Sequence, residues 1–253
     1  MKTFPRVIPV LLVSDGYLVK PVGFKGEGYI GDPINAVRIF NEKQVDELVI
    51  CDIDATVKGT GINYTLLEEV ASEAFMPVGY GGGVESADDA LRITSIGIEK
   101  VVLNSAAMLR PLTVTEISDA LGSSSTVVSV DARRRRLGGW ECYSRRGTKK
   151  TGLAPVEAAM RAEALGAGEI LLSSIDRESS FSGYDLALVE SVARAVDVPV
   201  IALGGASGFD DFAPALHAGA SAVAAGSVFV LNGRHRAVLI SYPTPELVRS
   251  LGR

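Results

Sequence analysis

Short runs of apolar, mostly β-branched residues alternate along the chain with longer stretches in which apolar residues recur every three or four positions. This alternation predicts strands that are each followed by a helix, and continuous apolar strands belong to parallel sheets buried on both faces. Eight such runs in 253 residues predict a single (β/α)8 TIM barrel of the α/β class. The predicted strands are Val7–Val13, Glu47–Ile53, Met76–Gly79, Lys100–Asn104, Ser125–Val130, Glu169–Ser174, Val198–Leu203 and Ala222–Ala225.

The predicted helices have recognisable ends. Asp32-Pro33, Ser86 and Asp185 are residue types that begin helices, and glycines such as Gly97 and Gly166 follow helix ends. The helical patterns include Asp32–Lys43, Asn63–Ala74, Ser86–Ser95, Pro155–Leu165, Asp185–Val196 and Gly208–Ala218.

The two halves of the sequence resemble each other. Residues 46–108 superpose on residues 168–230 without a gap when shifted by 122 positions. A period of this length indicates a duplicated half-domain, because the units of solenoid arrays run to only ~20–50 residues. We therefore expect one domain, 1–253, made of two half-barrels at about 1–122 and 123–253. Identical pairs include Glu47 and Glu169, Asp54 and Asp176, Gly82 and Gly204, Gly83 and Gly205, and Ser105 and Ser227.

Composition changes this picture little. Apolar residues make up 47% and charged residues 22%, which is typical of a globular protein, and a net charge of −5 gives no reason to expect a nucleic-acid partner. Cys51 and Cys142 lie outside any CxxC pair, which favours a reducing, cytoplasmic setting. Pro9 interrupts the apolar opening of the chain, so we expect a buried strand there and no targeting or membrane segment.

Metal and cofactor sites are not expected. The two histidines, His217 and His235, are not accompanied by acidic residues or cysteines at the spacing of metal ligands. We therefore predict no metal and no organic cofactor.

Glycines follow the third and seventh predicted strands. Such glycines let the backbone approach an anion closely, and a hydroxyl donor follows the fourth and eighth strands in the same way. The pattern predicts two phosphate sites on opposite sides of one barrel mouth, although the glycines could simply make tight turns. The candidate residues are Gly82, Gly83, Asn104 and Ser105 on one side, and Gly204, Gly205, Gly226 and Ser227 on the other.

A basic segment follows the fifth predicted strand. It contains Arg133–Arg136 and Lys149-Lys150, with Trp140 and Tyr143 between them. Charge runs are usually solvated loops, but long loops at this face of a barrel are often functional. We therefore keep contact with an anionic ligand or with another subunit as the alternative.

Motifs along nearly the whole chain resemble the cyclase subunit of imidazole glycerol phosphate synthase, HisF. They include RVIPVLLVSDGYLVK, DELVICDIDA, GGGVESADDA, IEKVVLNSAA, VVSVDARR, GAGEILLSSIDR and VPVIALGGASG. The resemblance implies a duplicated half-barrel that receives ammonia from a glutaminase (HisH-like) subunit at its N-terminal face. It also implies a small-molecule ligand with a phosphate at each end, held by the two glycine sites. No membrane partner is implied.

The same resemblance implies an ammonia gate. The family has a ring of four charged residues at the bottom of the barrel, and the matching positions here are Arg6, Glu47, Lys100 and Glu169. All four lie at strand starts, where charged side chains are commonly exposed to solvent. Two acids and two bases across four alternate strands can instead neutralise each other in a partly buried ring.

The catalytic pair of the family is incomplete in this chain. HisF has two catalytic aspartates, and the one after the fifth strand matches Asp131. The other position, in the family sequence IPCLDV, is Leu12 here, and a leucine cannot transfer a proton. Further departures replace a serine by Leu203, introduce Tyr80 beside the first glycines, and put Glu178-Ser179 in place of Asp-Gly.

These departures resemble a sister branch of WbuZ-type glycosyl-amidation proteins, which occur with a glutaminase and a separate ATP-dependent N-acetyl sugar amidotransferase. Under this leading interpretation the barrel passes ammonia onward for sugar amidation in surface polysaccharide synthesis, with Lys20 and Asp52 as residues that line the path or support the structure. The first alternative is a histidine-pathway cyclase (lyase) that combines Asp131 with a substitute acid, Asp15 or Glu178. The second is a scaffold that only activates the glutaminase.

Overall fold

The computed structural model describes residues 5–26 and 28–251. Residues 1–4, the start of the segment predicted to lead into the first strand, lie outside this range. The strands are β1 (Arg6–Ser14), β2 (Tyr17–Val19), β3 (Tyr29–Gly31), β4 (Leu48–Asp52), β5 (Val78–Gly81), β6 (Lys100–Leu103), β7 (Thr126–Arg134), β8 (Trp140–Ser144), β9 (Lys149–Lys150), β10 (Glu169–Ser174), β11 (Val200–Leu203), β12 (Ala222–Ala225), β13 (Leu231–Asn232) and β14 (Ala237–Val238). The helices are α1 (Pro33–Glu42), α2 (Ala55–Lys58), α3 (Tyr64–Glu73), α4 (Ala87–Ser95), α5 (Ser105–Leu109), α6 (Leu112–Leu121), α7 (Pro155–Ala164), α8 (Leu186–Ala193), α9 (Phe212–His217), α10 (Ser227–Val230) and α11 (Pro245–Ser250).

The described strands include eight that form a closed parallel barrel. Their order is β1, β4, β5, β6, β7, β10, β11 and β12, and the barrel closes where β12 pairs with β1. Helices alternate with these strands, so the prediction of a (β/α)8 TIM barrel is confirmed. In such a barrel the carboxyl ends of all the strands meet at one face, which is where the loops can build a site.

Apolar side chains form two layers. One lies between the strands and the surrounding helices and contains large, fully buried residues such as Phe40 and Phe212. The other fills the inside of the barrel with Ile8, Val10, Val49, Val102, Val127, Leu171, Ile201, Ala222 and Ala224. Because each strand is covered on both faces, its sequence is a continuous apolar run.

Three helix starts follow the predicted signals. The Asp32 carboxylate accepts a hydrogen bond from the Asn35 N–H at 2.8 Å, and Pro33 occupies the first turn, where no N–H is needed. Ser86 and Asp185 cap α4 and α8 in the same way.

Prolines shift two strand boundaries. The runs Met76–Gly79 and Val198–Leu203 were predicted as strands, but β5 and β11 begin only at Val78 and Val200. Pro77 and Pro199 precede these residues and cannot donate a ladder hydrogen bond, so each only accepts one from the neighbouring strand. The predicted helix 208–218 is also shorter, because a 3-10 turn at Phe209–Asp211 precedes α9.

Two hairpins extend the barrel at its C-terminal face, where the sequence predicted loops. β1 continues into β2, which pairs with β3, and β7 continues past Val130 to pair with β8 and then β9. The basic segment is therefore a β-hairpin. Its sequence is polar and has no apolar run, and the hydrogen bonds between its strands hold it in place. Helix α6 was also absent from the predicted helices.

Candidate functional site

A cavity of about 150 Å³ opens at the carboxyl ends of the barrel strands. The two hairpins contribute to its wall through Phe24, Arg145 and Arg146, and the strands contribute Asp131, Ser173 and Leu12. Of the two cysteines only Cys51 lines it, and burial raises the pKa of this thiol to about 12, so it is protonated at neutral pH. The position of the cavity agrees with the usual location of a barrel site.

Asp131 is the most perturbed acid of the cavity. It is buried, and burial raises the pKa of its carboxyl group to about 7. The Ser129 hydroxyl donates a hydrogen bond to it at 2.8 Å and lowers this pKa, while the negative charge of Glu178 raises it. A carboxyl group with such a pKa exists in both protonation states near neutral pH, as a general acid or base requires. Next to it in the barrel is Ser173, whose buried hydroxyl has no hydrogen-bond partner among the described residues.

Leu12 also lines the cavity, so an apolar side chain stands where the resemblance to HisF implies a second aspartate. Of the two substitute acids considered, Asp15 is not part of the cavity wall; its side chain is 70% exposed and pairs with Lys58 at 2.9 Å. Glu178 does line the cavity, but it forms a buried ion pair with Lys20. The described cavity wall therefore offers Glu178, and not Asp15, as a second acid near Asp131.

The first glycine site opens onto the cavity. Gly82, Gly83, Asn104 and Ser105 all line it. Gly82 has a φ of +123°, and a Cβ atom there would collide with the backbone carbonyl of Asp52, so only glycine fits. The Asn104 side chain donates to the carbonyl oxygens of Ser129 and Tyr143, at 3.1 and 3.4 Å, and thereby attaches this turn to the β7–β8 hairpin.

The second glycine site does not open onto the cavity. None of its four described residues, Gly204, Gly205, Gly226 and Ser227, belongs to the cavity wall. Lys20 packs against Gly226, and the Ser227 hydroxyl donates to that of Ser179 at 2.9 Å. Repeated sequences have therefore produced two unlike environments.

Asp52 and Lys20 both line the cavity, as the resemblance to HisF implied. Asp52 accepts hydrogen bonds from the backbone N–H groups of Asp54 and Ala55, at 2.9 and 3.0 Å, so it shapes the turn after β4. Burial raises the pKa of Asp52, and these hydrogen bonds lower it. Both residues thus have structural partners as well as access to the cavity.

The arginines that the basic hairpin places in the cavity wall are not those of the predicted basic run. Arg134 and Arg135 pair with Asp185 and Glu141 of the same chain, at 3.4 and 3.9 Å. Lys150 likewise pairs with Glu141. Arg145 and Arg146, which the sequence did not single out, belong to the cavity wall. No periodicity marks them, because both lie in the tight turn of the hairpin at positive φ.

Four charged side chains meet at the opposite end of the barrel. Arg6 contacts Glu47 and, at 2.6 Å, Glu169; Lys100 contacts the same two carboxylates at 3.1 and 2.9 Å. Burial lowers the pKa of Arg6, but the two carboxylates outweigh this and raise it overall. The structure thus joins the predicted residues in a closed ring of balanced charge, which we call the charged ring.

The barrel interior connects the charged ring to the cavity. Directly inside the ring lies the apolar cluster that contains Ile8, Val127 and Leu171, and Leu12, Cys51 and Leu203 pack against its other side. Between its two ends, the barrel is therefore lined by side chains that favour neutral over charged species.

The described residues contain neither a cluster of metal-binding side chains nor a helix that could span a membrane. No group of three or more histidine, cysteine or acidic side chains there could hold a metal ion. Within residues 5–26 and 28–251, none of the helices has the length and hydropathy needed to cross a membrane.

Comparison with known proteins agrees with this geometry. The family model of "Histidine biosynthesis protein" matches residues 6–235. A putative imidazole glycerol phosphate synthase subunit, hisF2, of Pseudomonas aeruginosa is 51% identical over 94% of this chain and 95% of its own length. The putative HisF of Leptospira interrogans is 44% identical over 96% of both chains, and the HisF subunit of Streptomyces griseus is 43% identical over 88% and 89%. The chain therefore belongs to the histidine biosynthesis protein family and is a HisF-like synthase subunit.

Proposed function

We propose that this barrel receives ammonia from a glutaminase subunit docked on its charged-ring face and passes it to the cavity, in support of the amidation of an N-acetyl sugar for surface polysaccharide. A separate ATP-dependent sugar amidotransferase would consume the ammonia. The observation that carries the proposal is a closed charged ring together with Leu12 in the cavity wall, at the position where the resemblance to HisF implies a catalytic aspartate.

The charged ring and the interior suit ammonia transfer. Neutral ammonia can cross an apolar interior, whereas burying an ammonium ion without a partner is costly. Each ring carboxylate is shared by both basic side chains, so the ring closes the bottom of the barrel. Transfer therefore requires a ring contact to open, and a docked glutaminase is positioned to trigger it.

The cavity is less suited to closing an imidazole ring. One positioned acid or base contributes typically ~10²–10⁴-fold to a rate, and Leu12 cannot replace such a group. Asp131 remains able to hold or release a proton near neutral pH, because burial raises its pKa to about 7. In this proposal Asp131 binds the ligand.

The test reconstitutes the barrel with its glutaminase and the sugar amidotransferase. In Lys100→Met, Glu47 and Glu169 share only Arg6, and their uncompensated charge should hold the arriving ammonia as ammonium at the ring. Glutamine-dependent sugar amidation should therefore fall at least 10-fold, while amidation from added ammonium salts stays within 2-fold of the wild type. Arg38→Met, which breaks an exposed ion pair with Glu73, is the matched control and should change neither rate. Turnover of the histidine-pathway substrate at a rate typical of HisF, or growth of a strain that lacks the histidine cyclase, would refute the proposal.

The histidine-pathway cyclase is the second candidate, and the position of Glu178 in the cavity wall favours it. Leu12→Asp separates the two functions. A cyclase handicapped by Leu12 should gain cyclase activity from this substitution, whereas an ammonia conduit should gain no flux to the amidated sugar. Stimulation of glutaminase without any transfer of ammonia would instead identify a scaffold.

A further inference from the structure

The repeat gives the barrel two glycine sites, and only one of them is open. Gly82 and Ser105 of the first half line the cavity, whereas their equivalents Gly204 and Ser227 do not. A glycine pair and a serine follow equivalent barrel strands in both halves. We therefore look to the side chains that pack against each site for the reason that one is open and the other is not.

An internal ion pair fills the second site. Lys20, from the loop after β2, packs its ammonium group against Gly226, so closely that a Cβ atom at Gly226 would collide with it. Glu178 pairs with this ammonium group, and its other carboxylate oxygen lies 3.5 Å from where a Cβ of Gly204 would be. Both side chains are only 5% exposed. The Glu178 carboxylate, paired with Lys20, therefore lies beside the glycines of the second site, in the position that a bound phosphate group would take.

The hydroxyl group of the second site is also occupied. Ser227 donates to the Ser179 hydroxyl at 2.9 Å, and Ser179 donates in turn to the carbonyl oxygen of Pro21 at 2.8 Å. A hydroxyl has a single proton, so neither serine has one left for an outside anion. Gly205 is also buried, and its carbonyl oxygen accepts a hydrogen bond from the Gly183 N–H at 2.8 Å, so the loop after β10 packs over it.

At the first site, no internal ion pair packs against the glycines among the described residues. The carboxylate of Asp52, whose backbone contacts Gly82, is turned to the N–H groups of the next turn, from which it accepts hydrogen bonds. The wall of this site includes Arg145 and Arg146, and the Ser105 hydroxyl accepts a hydrogen bond from the Arg145 N–H at 3.1 Å, which leaves its own proton available to a ligand. Across the cavity the strand ends present Leu12 and Leu203, which cannot bind charge.

We infer that the cavity takes a ligand with one phosphoryl group, bound at Gly82, Gly83 and Ser105, and that the Glu178 carboxylate permanently occupies the second anion position. The remainder of the ligand is uncharged and contacts Leu12 and Leu203. The inference rests on the proposed function only in taking the ligand to be phosphorylated. It excludes a compact bisphosphate that spans the mouth.

Inorganic phosphate is the probe, titrated into the isolated, isotope-labelled chain while backbone amide resonances are followed. Saturable shifts are expected at Gly83 and Ser105 and not at Gly205 and Ser227. The duplication supplies a matched pair of variants: Ser105→Ala should weaken phosphate binding about 10-fold, since it removes a hydrogen bond to a charged group, and Ser227→Ala should change it less than 2-fold. Equal weakening by both variants, or parallel shifts at both sites, would overturn the inference.

A third variant tests the internal anion directly. Glu178→Ala leaves Lys20 without its carboxylate and should create a second phosphate site, seen as new shifts at Gly205 and Ser227. Adding Lys20→Met, which removes the cation that would hold this phosphate, should abolish the new site while the first is unchanged. Failure of Glu178→Ala to bind a second phosphate, in a variant whose other resonances show an intact fold, would contradict the assignment. Because ammonia transfer plays no part in these titrations, the proposed function can fail while this inference stands, and the reverse.

Discussion

Asp131 of β7 and Leu12 of β1 line the same cavity and differ in chemistry, since one can transfer a proton and the other cannot. The Asp131 carboxyl group is buried, which favours its protonated form. On β1, Leu12 supplies no second acid to the cavity wall. The Glu178 carboxylate nearby already has Lys20 as its partner. The protonation state of Asp131 is therefore set mainly by burial, and this has a consequence for stability that can be measured.

Stability should fall as the pH rises through the range in which Asp131 ionises. Its pKa is about 7 when folded, compared with 3.8 for an unperturbed aspartate, so between these values the folded state binds more protons than the unfolded state. The slope of about 1.4 kcal/mol per pH unit flattens as the pH approaches 7, so this group should remove about 2 kcal/mol of stability between pH 5 and pH 7, with little change above that. Asp131→Asn should lack this loss, as urea unfolding at pH 5, 6, 7 and 8 would show. The exposed Asp119→Asn is the control, and a profile for Asp131→Asn parallel to the wild type would contradict the prediction.

The sequence pattern predicts the strands of the barrel but does not predict the contacts between the loops that follow them. Apolar runs between turn residues predicted all eight barrel strands, because each strand is buried on both faces. The β8–β9 part of the hairpin is polar and gains its order from pairing with β7, which no local pattern reveals. The pair Lys20–Glu178 joins residues 158 positions apart, so the occupation of the second glycine site could be recognised only in three dimensions.

The charged ring ties four strand starts together, and its loss should be costly. Lys100 is 16% exposed and holds Glu47 and Glu169, which are 4% and 12% exposed. Lys100→Met keeps the volume but leaves two nearly buried carboxylates to share Arg6, so we expect a loss of about 2–4 kcal/mol in the free energy of unfolding. Urea denaturation at neutral pH measures this. Arg38→Met, in an exposed pair, should show no measurable loss, and an unchanged Lys100→Met would mean that the ring contributes nothing to stability.

At the scale of the whole molecule, the two ends of the barrel treat the repeat differently. At the charged ring the repeated acids Glu47 and Glu169 have matching roles, each bound by both Arg6 and Lys100. At the cavity the repeated glycine sites differ, because Glu178 and Lys20 close one of them. The glycine turns after equivalent strands are the same in both halves. The side chains that pack against these turns from other loops differ between the halves. Function can thus diverge at one end of a duplicated scaffold without altering the other.

The duplication itself predicts how the chain can be divided. A cut between residues 122 and 123 removes the pairing of β6 with β7 and of β12 with β1, and leaves four unpaired strand edges. Pieces 1–122 and 123–253 should therefore aggregate or self-associate when expressed alone. When they are co-expressed the edges can pair again, and Glu169 can rejoin Arg6 and Lys100. We expect the two pieces to co-purify through a tag on one of them and to unfold together in urea.

A cut after Gly166 instead separates β7 from β10, its neighbour within the same half, and should yield no soluble complex. Equal recovery from both cuts would show that the repeat does not mark a structural unit.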